Sequence, residues 1–97
     1  MAAYRVAIAP DVAERIRHLP PDLKRGVREA IRAVAHAPAI GAELQRELLG
    51  YRKYRVRRYR LIYRIDRETR AIRIVALGHR RTVYEDAAAA LRSRSGA

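Results

Sequence analysis

The chain has no cysteine, no tryptophan and no phenylalanine, and only one methionine. Without cysteine there can be no disulfide framework, zinc–thiolate site or cysteine nucleophile. The three histidines, His18, His36 and His79, lie far apart and show no metal-ligand spacing, so neither metal nor cofactor is expected. No apolar run approaches the roughly 20 residues of a membrane span. Met1–Tyr4 carries no signal-peptide pattern. A cytoplasmic chain without a membrane partner is therefore expected. Acidic residues are also scarce: 10 Asp+Glu stand against 22 Lys+Arg, leaving a net charge of +12. Lysine is scarcer still, since Lys24 and Lys53 are the only two and the other cations are all arginine.

What remains suits one small domain. The 97 residues form a single unit spanning 1–97, with 93–97 expected as a frayed tail. An apolar fraction of 49% is too high for a disordered basic tail. The charge is concentrated: residues 51–81 hold 12 basic and 2 acidic groups, net +10. A dense field of one sign costs stability through self-repulsion. Its usual partner is a polyanion, either nucleic acid or an acidic protein.

Tyr4–Ile8 alternates apolar and polar residues and predicts a short strand. Pro10 and Asp11 suit a helix start, and Val12, Ile16 and Leu19 give a helix over Asp11–His18. Pro20-Pro21 ends it. A second helix opens at Asp22, carries the stripe Leu23, Val27, Ile31 and Val34, and stops at Pro38. Residues 39–50 fit either a helical turn or an irregular connection. From Tyr51 the period becomes two. Tyr54 and Val56, then Tyr59, Leu61, Tyr63 and Ile65, form the apolar face of two strands whose other face is cationic. Arg70–Leu77 is apolar on both parities, as a doubly covered strand would be. Ala87–Leu91 with Arg92 reads as a short final helix. The expected fold is α+β in the order β-α-α-β-β-β-α. It has a mostly antiparallel four-stranded sheet, packed by an N-terminal helical hairpin, with a short C-terminal helix.

A two-residue turn at Arg57-Arg58 keeps both apolar rows on one face. That register sets Val56 against Tyr59, Arg55 against Arg60, Tyr54 against Leu61 and Lys53 against Ile62. Like charges facing each other across a ladder are destabilising. They make sense beneath an anion such as phosphate, which guanidinium groups bind in bidentate fashion. A solvated charged face is the plainer reading, and from the strand pattern it is preferred for Arg58, Arg64, Arg67 and Arg70. For Lys53, Arg55 and Arg60 the pairing favours function. Tyr59 and Tyr63 share a face with Leu61 and Ile65 and read as core.

The stretch from Lys53 to Asp66, K-Y-R-V-R-R-Y-R-L-I-Y-R-I-D, resembles the signature of the RelE/ParE toxin superfamily. So do G-H-R-R-T-V-Y at Gly78–Tyr84, Leu19-Pro20 after the first helix, and Gly41, Leu44 and Leu49-Gly50 before the basic strand. The resemblance spans Tyr4 to Tyr84. It implies the toxin of a type II toxin–antitoxin pair, with a cognate acidic antitoxin as partner. In the RelE-like branch it implies a ribosome-dependent endoribonuclease that cuts mRNA. The residues carried over as catalytic are Lys53, Arg55, Arg60, Arg80 and Tyr84. Arg81 takes the place of Arg80 if the loop register shifts by one. Arg57, Arg58 and Arg81 are candidate RNA-phosphate contacts. The ParE-like branch shares the fold but poisons DNA gyrase, and a non-catalytic nucleic-acid-binding module is a further alternative. The joint presence of the five site residues favours the RelE-like branch.

Attack by a 2′-OH needs a proton acceptor, stabilisation of the pentavalent phosphorane and a proton for the 5′-oxygen. Histidine is absent from the basic strands. His79 is expected to point away from them. Glu85 and Asp86 suit the start of the last helix. Electrostatic stabilisation by Arg55, Arg60 and Arg80 is therefore expected to dominate. Lys53 is the candidate base, because arginine stays protonated. Tyr84 serves either as a stacking platform or as an acid or base.

Overall fold

The computed structural model describes residues 3–95. The chain runs β1 (Arg5–Ile8), α1 (Pro10–Arg17), α2 (Pro21–His36), β2 (Ala42–Glu43), β3 (Tyr51–Val56), β4 (Tyr59–Asp66), β5 (Ala71–His79) and α3 (Val83–Ser95). The sheet has five strands where four were expected, in the order β1-β5-β4-β3-β2. The addition is β2, which pairs antiparallel with β3 through Ala42↔Lys53 and Glu43↔Arg52. Two residues are too few to show an alternating pattern. Short 3₁₀ turns at Pro38–Ile40 and Arg46–Leu48 flank it. β1 lies parallel to β5, so the sheet is mixed.

Both helices of the N-terminal hairpin start at prolines, Pro10 and Pro21, where a missing N–H costs nothing. Val12, Val27, Ala30 and Val34 from this hairpin pack on Val56, Leu61, Tyr63, Ile72, Ile74 and Leu77 of the sheet. Val27, Leu61 and Ile72 are fully buried, and each such side chain contributes about 1.5–3 kcal/mol. The opposite sheet face presents Ile62, Val75 and Ala76 to Val83 and Ala87 of α3, with Leu48 alongside.

A β-bulge lets β5 serve both layers. Ile62 pairs with Ala76 while Tyr63 pairs with Ile74, so Val75 is an extra residue. Val75 and Ala76 both face α3, and Leu77 rejoins Ile72 and Ile74 on the hairpin side. Strict alternation would group Ala76 with Ile72 and Ile74.

Tyr63 is fully buried and pins the connection before β2. Its hydroxyl donates to the Pro38 carbonyl at 2.6 Å and accepts from the Gly41 N–H at 2.9 Å. A Cβ at Gly41 would lie 2.6 Å from both the Tyr63 hydroxyl and the Lys53 carbonyl. The Arg52 guanidinium reinforces this connection, donating to the Gly41 carbonyl at 2.7 Å and to Glu43 Oε1 at 3.0 Å.

α3 starts at Val83, before the expected Ala87, with Glu85 and Asp86 in its first turn. It is helical as far as Ser95, through part of the segment expected to fray; Gly96 and Ala97 lie outside the described residues. Among the described residues, no helix is long and apolar enough to cross a membrane.

Candidate functional site

The β3–β4 pairing has the expected register: Val56↔Tyr59, Arg55↔Arg60, Tyr54↔Leu61 and Lys53↔Ile62. Lys53, Arg55 and Arg60 therefore share the face that α3 covers farther along, where Ile62 is buried. The connecting turn is Arg57-Arg58, and Arg57 takes the left-handed φ of 57° that glycine or asparagine usually supplies. Arg60 folds back towards this turn. Its Nη1 donates to the carbonyls of Arg57 at 3.1 Å and Tyr59 at 2.9 Å. Lys53, Arg55, Arg57 and Arg60 line one surface groove with Tyr54, Ile40 and Ala42.

Tyr84, the second residue of α3, comes to this cluster from across the chain. Lys53 Nζ sits over its ring, 5.7 Å from the centroid, at cation–π distance. The loop between β5 and α3 is tied to the hairpin turn by the Arg80 N–H, which donates to the Arg58 carbonyl at 2.8 Å. Arg80 and Arg81 are both exposed on this loop. The Arg81 N–H donates to His79 Nδ1 at 3.3 Å. His79 lies on the hairpin side of the sheet, edge-on to Tyr59 at 6.2 Å, away from the cations.

The electrostatics are one-sided. Ion pairs involve Arg17, His18, Arg25, Arg52, Arg73 and Arg92. Among the described residues, none reaches Lys53, Arg55, Arg60 or Arg80. Two guanidinium side chains thus face each other across a ladder with no carboxylate to neutralise them, which is the setting a phosphate group would fill. Among the described residues, no group of three or more His, Cys, Asp or Glu is placed to hold a metal ion.

Two features have no sequence signal. Arg15 reaches from α1 to donate to the Leu77 carbonyl at 2.8 Å, fastening the hairpin to the end of β5. A second groove is lined by residues 45–48 together with Tyr84, Glu85, Ala88 and Arg92 of α3, and Glu47 and Arg92 in its lining pair at 2.7 Å. These partners are 45 residues apart, beyond any local pattern.

Fold and site together define a small basic α+β domain whose sheet face at one hairpin carries clustered lysine and arginine side chains. Residues 6–84 match the family model described as ParE toxin of the type II toxin–antitoxin system, parDE. Among solved structures, the chain is similar to one in the toxin–antitoxin complex RelBE2 from Mycobacterium tuberculosis. That match has 34% identity and a TM-score of 0.72, and covers 82% of this chain and 94% of the other. The archaeal RelE–RelB complex from Pyrococcus horikoshii matches with 26% identity and a TM-score of 0.66, covering 80% and 96%. The isolated RelE toxin of E. coli shares the fold, with 22% identity and a TM-score of 0.71, over 92% and 99%. No curated protein sequence matches the chain. The chain belongs to the RelE/ParE family, the toxins of type II toxin–antitoxin systems.

Proposed function

We propose that this toxin is a ribosome-dependent endoribonuclease that cuts mRNA and thereby stops translation. The observation that carries the reading is the convergence of Lys53, Arg55, Arg60 and Tyr84 from β3, β4 and α3, with Arg80 on the loop tied to the same hairpin. Lys53 or Tyr84 removes the proton from the ribose 2′-OH. The 2′-oxygen then attacks phosphorus, the bond to the 5′-oxygen breaks, and that oxygen takes up a proton. The products are a 2′,3′-cyclic phosphate and a free 5′-hydroxyl. Arg55, Arg60 and Arg80 stabilise the charge that grows on the phosphorane, and Arg57, Arg58 and Arg81 hold flanking phosphates. Losing one preorganised donor of this kind costs about 10²–10³ in rate.

The partner in the resting state is an acidic antitoxin laid over the cationic face. Support comes from the complexes in which similar toxins are found and from the lack, among the described residues, of an acidic ion-pair partner at the cluster. A second reading, a gyrase-directed toxin of the ParE-like branch, draws support from the description of the matching family model.

Primer extension on mRNA in a translation extract tests the first reading. The expected result is discrete cuts that require ribosomes. A chain that leaves mRNA whole while trapping gyrase–DNA cleavage complexes would establish the second reading instead.

A further inference from the structure

Among the described residues, no strand flanks β5 on the β1 side beyond Ile74, and a side chain from α1 takes the strand's place. The last β1–β5 pair is Ile8↔Ile74, and the Ala9 N–H closes that ladder on the Ile74 carbonyl at 3.0 Å. Farther along β5, Arg15 Nη1 donates to the Leu77 carbonyl at 2.8 Å. We infer that Arg15 is a positioning residue for cleavage: by holding the Leu77 carbonyl it fixes the end of β5, and through it Arg80, against the hairpin turn. This inference rests on the ribonuclease reading for its effect on rate.

A strand carbonyl shielded from water and left without a donor is costly. Val12, one turn before Arg15, is buried in the core on the hairpin side of the sheet. Arg15 therefore reaches the edge of β5 with a long side chain that carries a donor at its tip. The strand is bare at the next residue: a Cβ on Gly78 would lie 3.1 Å from Arg15 Nη1 and 3.4 Å from Val83 Cβ. The missing side chain lets α1 and the first residue of α3 close on one point of β5. It also gives Gly78 wide backbone freedom, so order there has to come from the bonds around it.

The segment from Leu77 to Arg80 hangs between two anchors. On one side Arg15 holds the Leu77 carbonyl; on the other the Arg80 N–H donates to the Arg58 carbonyl at 2.8 Å. The Thr82 N–H donates to the His79 carbonyl at 3.0 Å and the Arg81 N–H to His79 Nδ1 at 3.3 Å. Those two bonds close the loop on itself, and Arg15 adds a tie to the helical hairpin. Arg15 stands apart from the cation cluster: it lines a groove with His79 and Tyr59 on the hairpin side, while Lys53, Arg55 and Arg60 occupy the other sheet face. Its effect on the reaction passes through Arg80, whose guanidinium must be in place before the phosphorane forms. A small misplacement of such a group costs a large factor in rate.

Two measurements test the inference, each with Arg15→Ala and with Arg15→Met, which keeps an apolar stem but has no donor. In the first, single-turnover cleavage of one mRNA codon is followed against ribosome concentration. Either substitution should lower the rate at saturation about tenfold and leave the half-saturating concentration within about twofold. In an Arg80→Ala background the same substitutions should change the rate by less than about twofold, because the group they position is gone. A comparable loss in both backgrounds, or no loss in either, overturns the inference and leaves the ribonuclease reading intact. In the second, amide hydrogen exchange of the free chain is followed by NMR. The Arg80 amide should exchange about tenfold faster in both variants, while the Val34 amide in α2 keeps its wild-type protection. Unchanged exchange at Arg80, or equal acceleration at Arg80 and Val34, overturns the inference. A wild-type chain that cuts no mRNA removes the ribonuclease reading and with it the effect on rate, while the exchange measurement still decides whether Arg15 holds the loop.

Discussion

Lys53 and Tyr84 are 31 positions apart in the chain, yet the lysine ammonium lies 5.7 Å from the centre of the tyrosine ring. The contact joins the hairpin to the first turn of α3. It places an amine and a phenol on the sheet face that carries the arginine pair.

Substitution at these two positions separates stacking from proton transfer. Tyr84→Ala should lower the ribosome-dependent cleavage rate by about 10²–10³. Tyr84→Phe should retain most activity if the ring acts as a platform and lose about as much as Tyr84→Ala if the hydroxyl moves a proton. Lys53→Arg keeps the charge but cannot give up its proton, so it should lose about 10²-fold or more. Single-turnover cleavage of one mRNA codon on purified ribosomes measures all three.

Arg60→Ala should lower cleavage by about 10²–10³ with little change in melting temperature. The side chain is half-buried and, among the described residues, takes part in no ion pair, so its removal strips the cluster of a donor without opening the core. Cleavage within threefold of wild type would remove Arg60 from the site.

Tyr63→Phe should cost about 1–3 kcal/mol in chemical unfolding, because the Gly41 N–H and the Pro38 carbonyl lose their partner. Burial raises the Tyr63 phenol above its ordinary value, outweighing the opposing hydrogen bond from Gly41. Below about pH 10 folded and unfolded chains both keep the proton, and this contribution is complete. At higher pH the unfolded chain ionises first, and the contribution is lost as pH climbs through the folded value. The alkaline slope of stability should therefore flatten in the Phe variant.

Asp66 titrates in the opposite direction. The Thr69 N–H, foremost, and then Arg73 hold its carboxyl below the usual range. Its contribution to stability is complete above the unfolded value near pH 4 and is lost as pH falls through the folded one. Asp66→Asn removes this titrating carboxyl, so the loss of stability on acidification should be shallower in the variant, as chemical unfolding at a series of acid pH values would measure.

Arg57→Gly should stabilise the hairpin by about 0.5–1 kcal/mol, because glycine takes a positive φ without strain. Thermal unfolding of the variant measures it. A lower melting temperature would mean that the Arg57 side chain contributes more than its backbone costs.

The hairpin register could be read from the sequence because period-two rows with one greasy face admit a single alignment. A slip of one residue would have turned Leu61 and Tyr63 to the cationic side. The helical hairpin was equally legible from Val27, Ile31 and Val34, four and three apart. β2 was not, because Ala42 and Glu43 are set by Arg52 and Tyr63 reaching back from other strands. The meeting of Lys53 with Tyr84 had no local sign either. Only the likeness to a known family placed them together, and packing of Val83 and Ala87 on Ile62 and Val75 is what brings the ring there.

The extra residue at Val75 has a consequence for the loop beyond it. Because Val75 is taken up as the bulge, Ala76 stays opposite Ile62 and Leu77 opposite Leu61, and the residues beyond keep the faces of their β4 partners. Deleting Val75 would leave Ile74, Ala76 and Leu77 in regular alternation, so Leu77 would stay in the hairpin core, His79 opposite Tyr59 and the Arg80 loop at the hairpin turn. The phasing of the arginine loop is thus set by the pairing of β5 with β4, and the spare valine is absorbed without disturbing it.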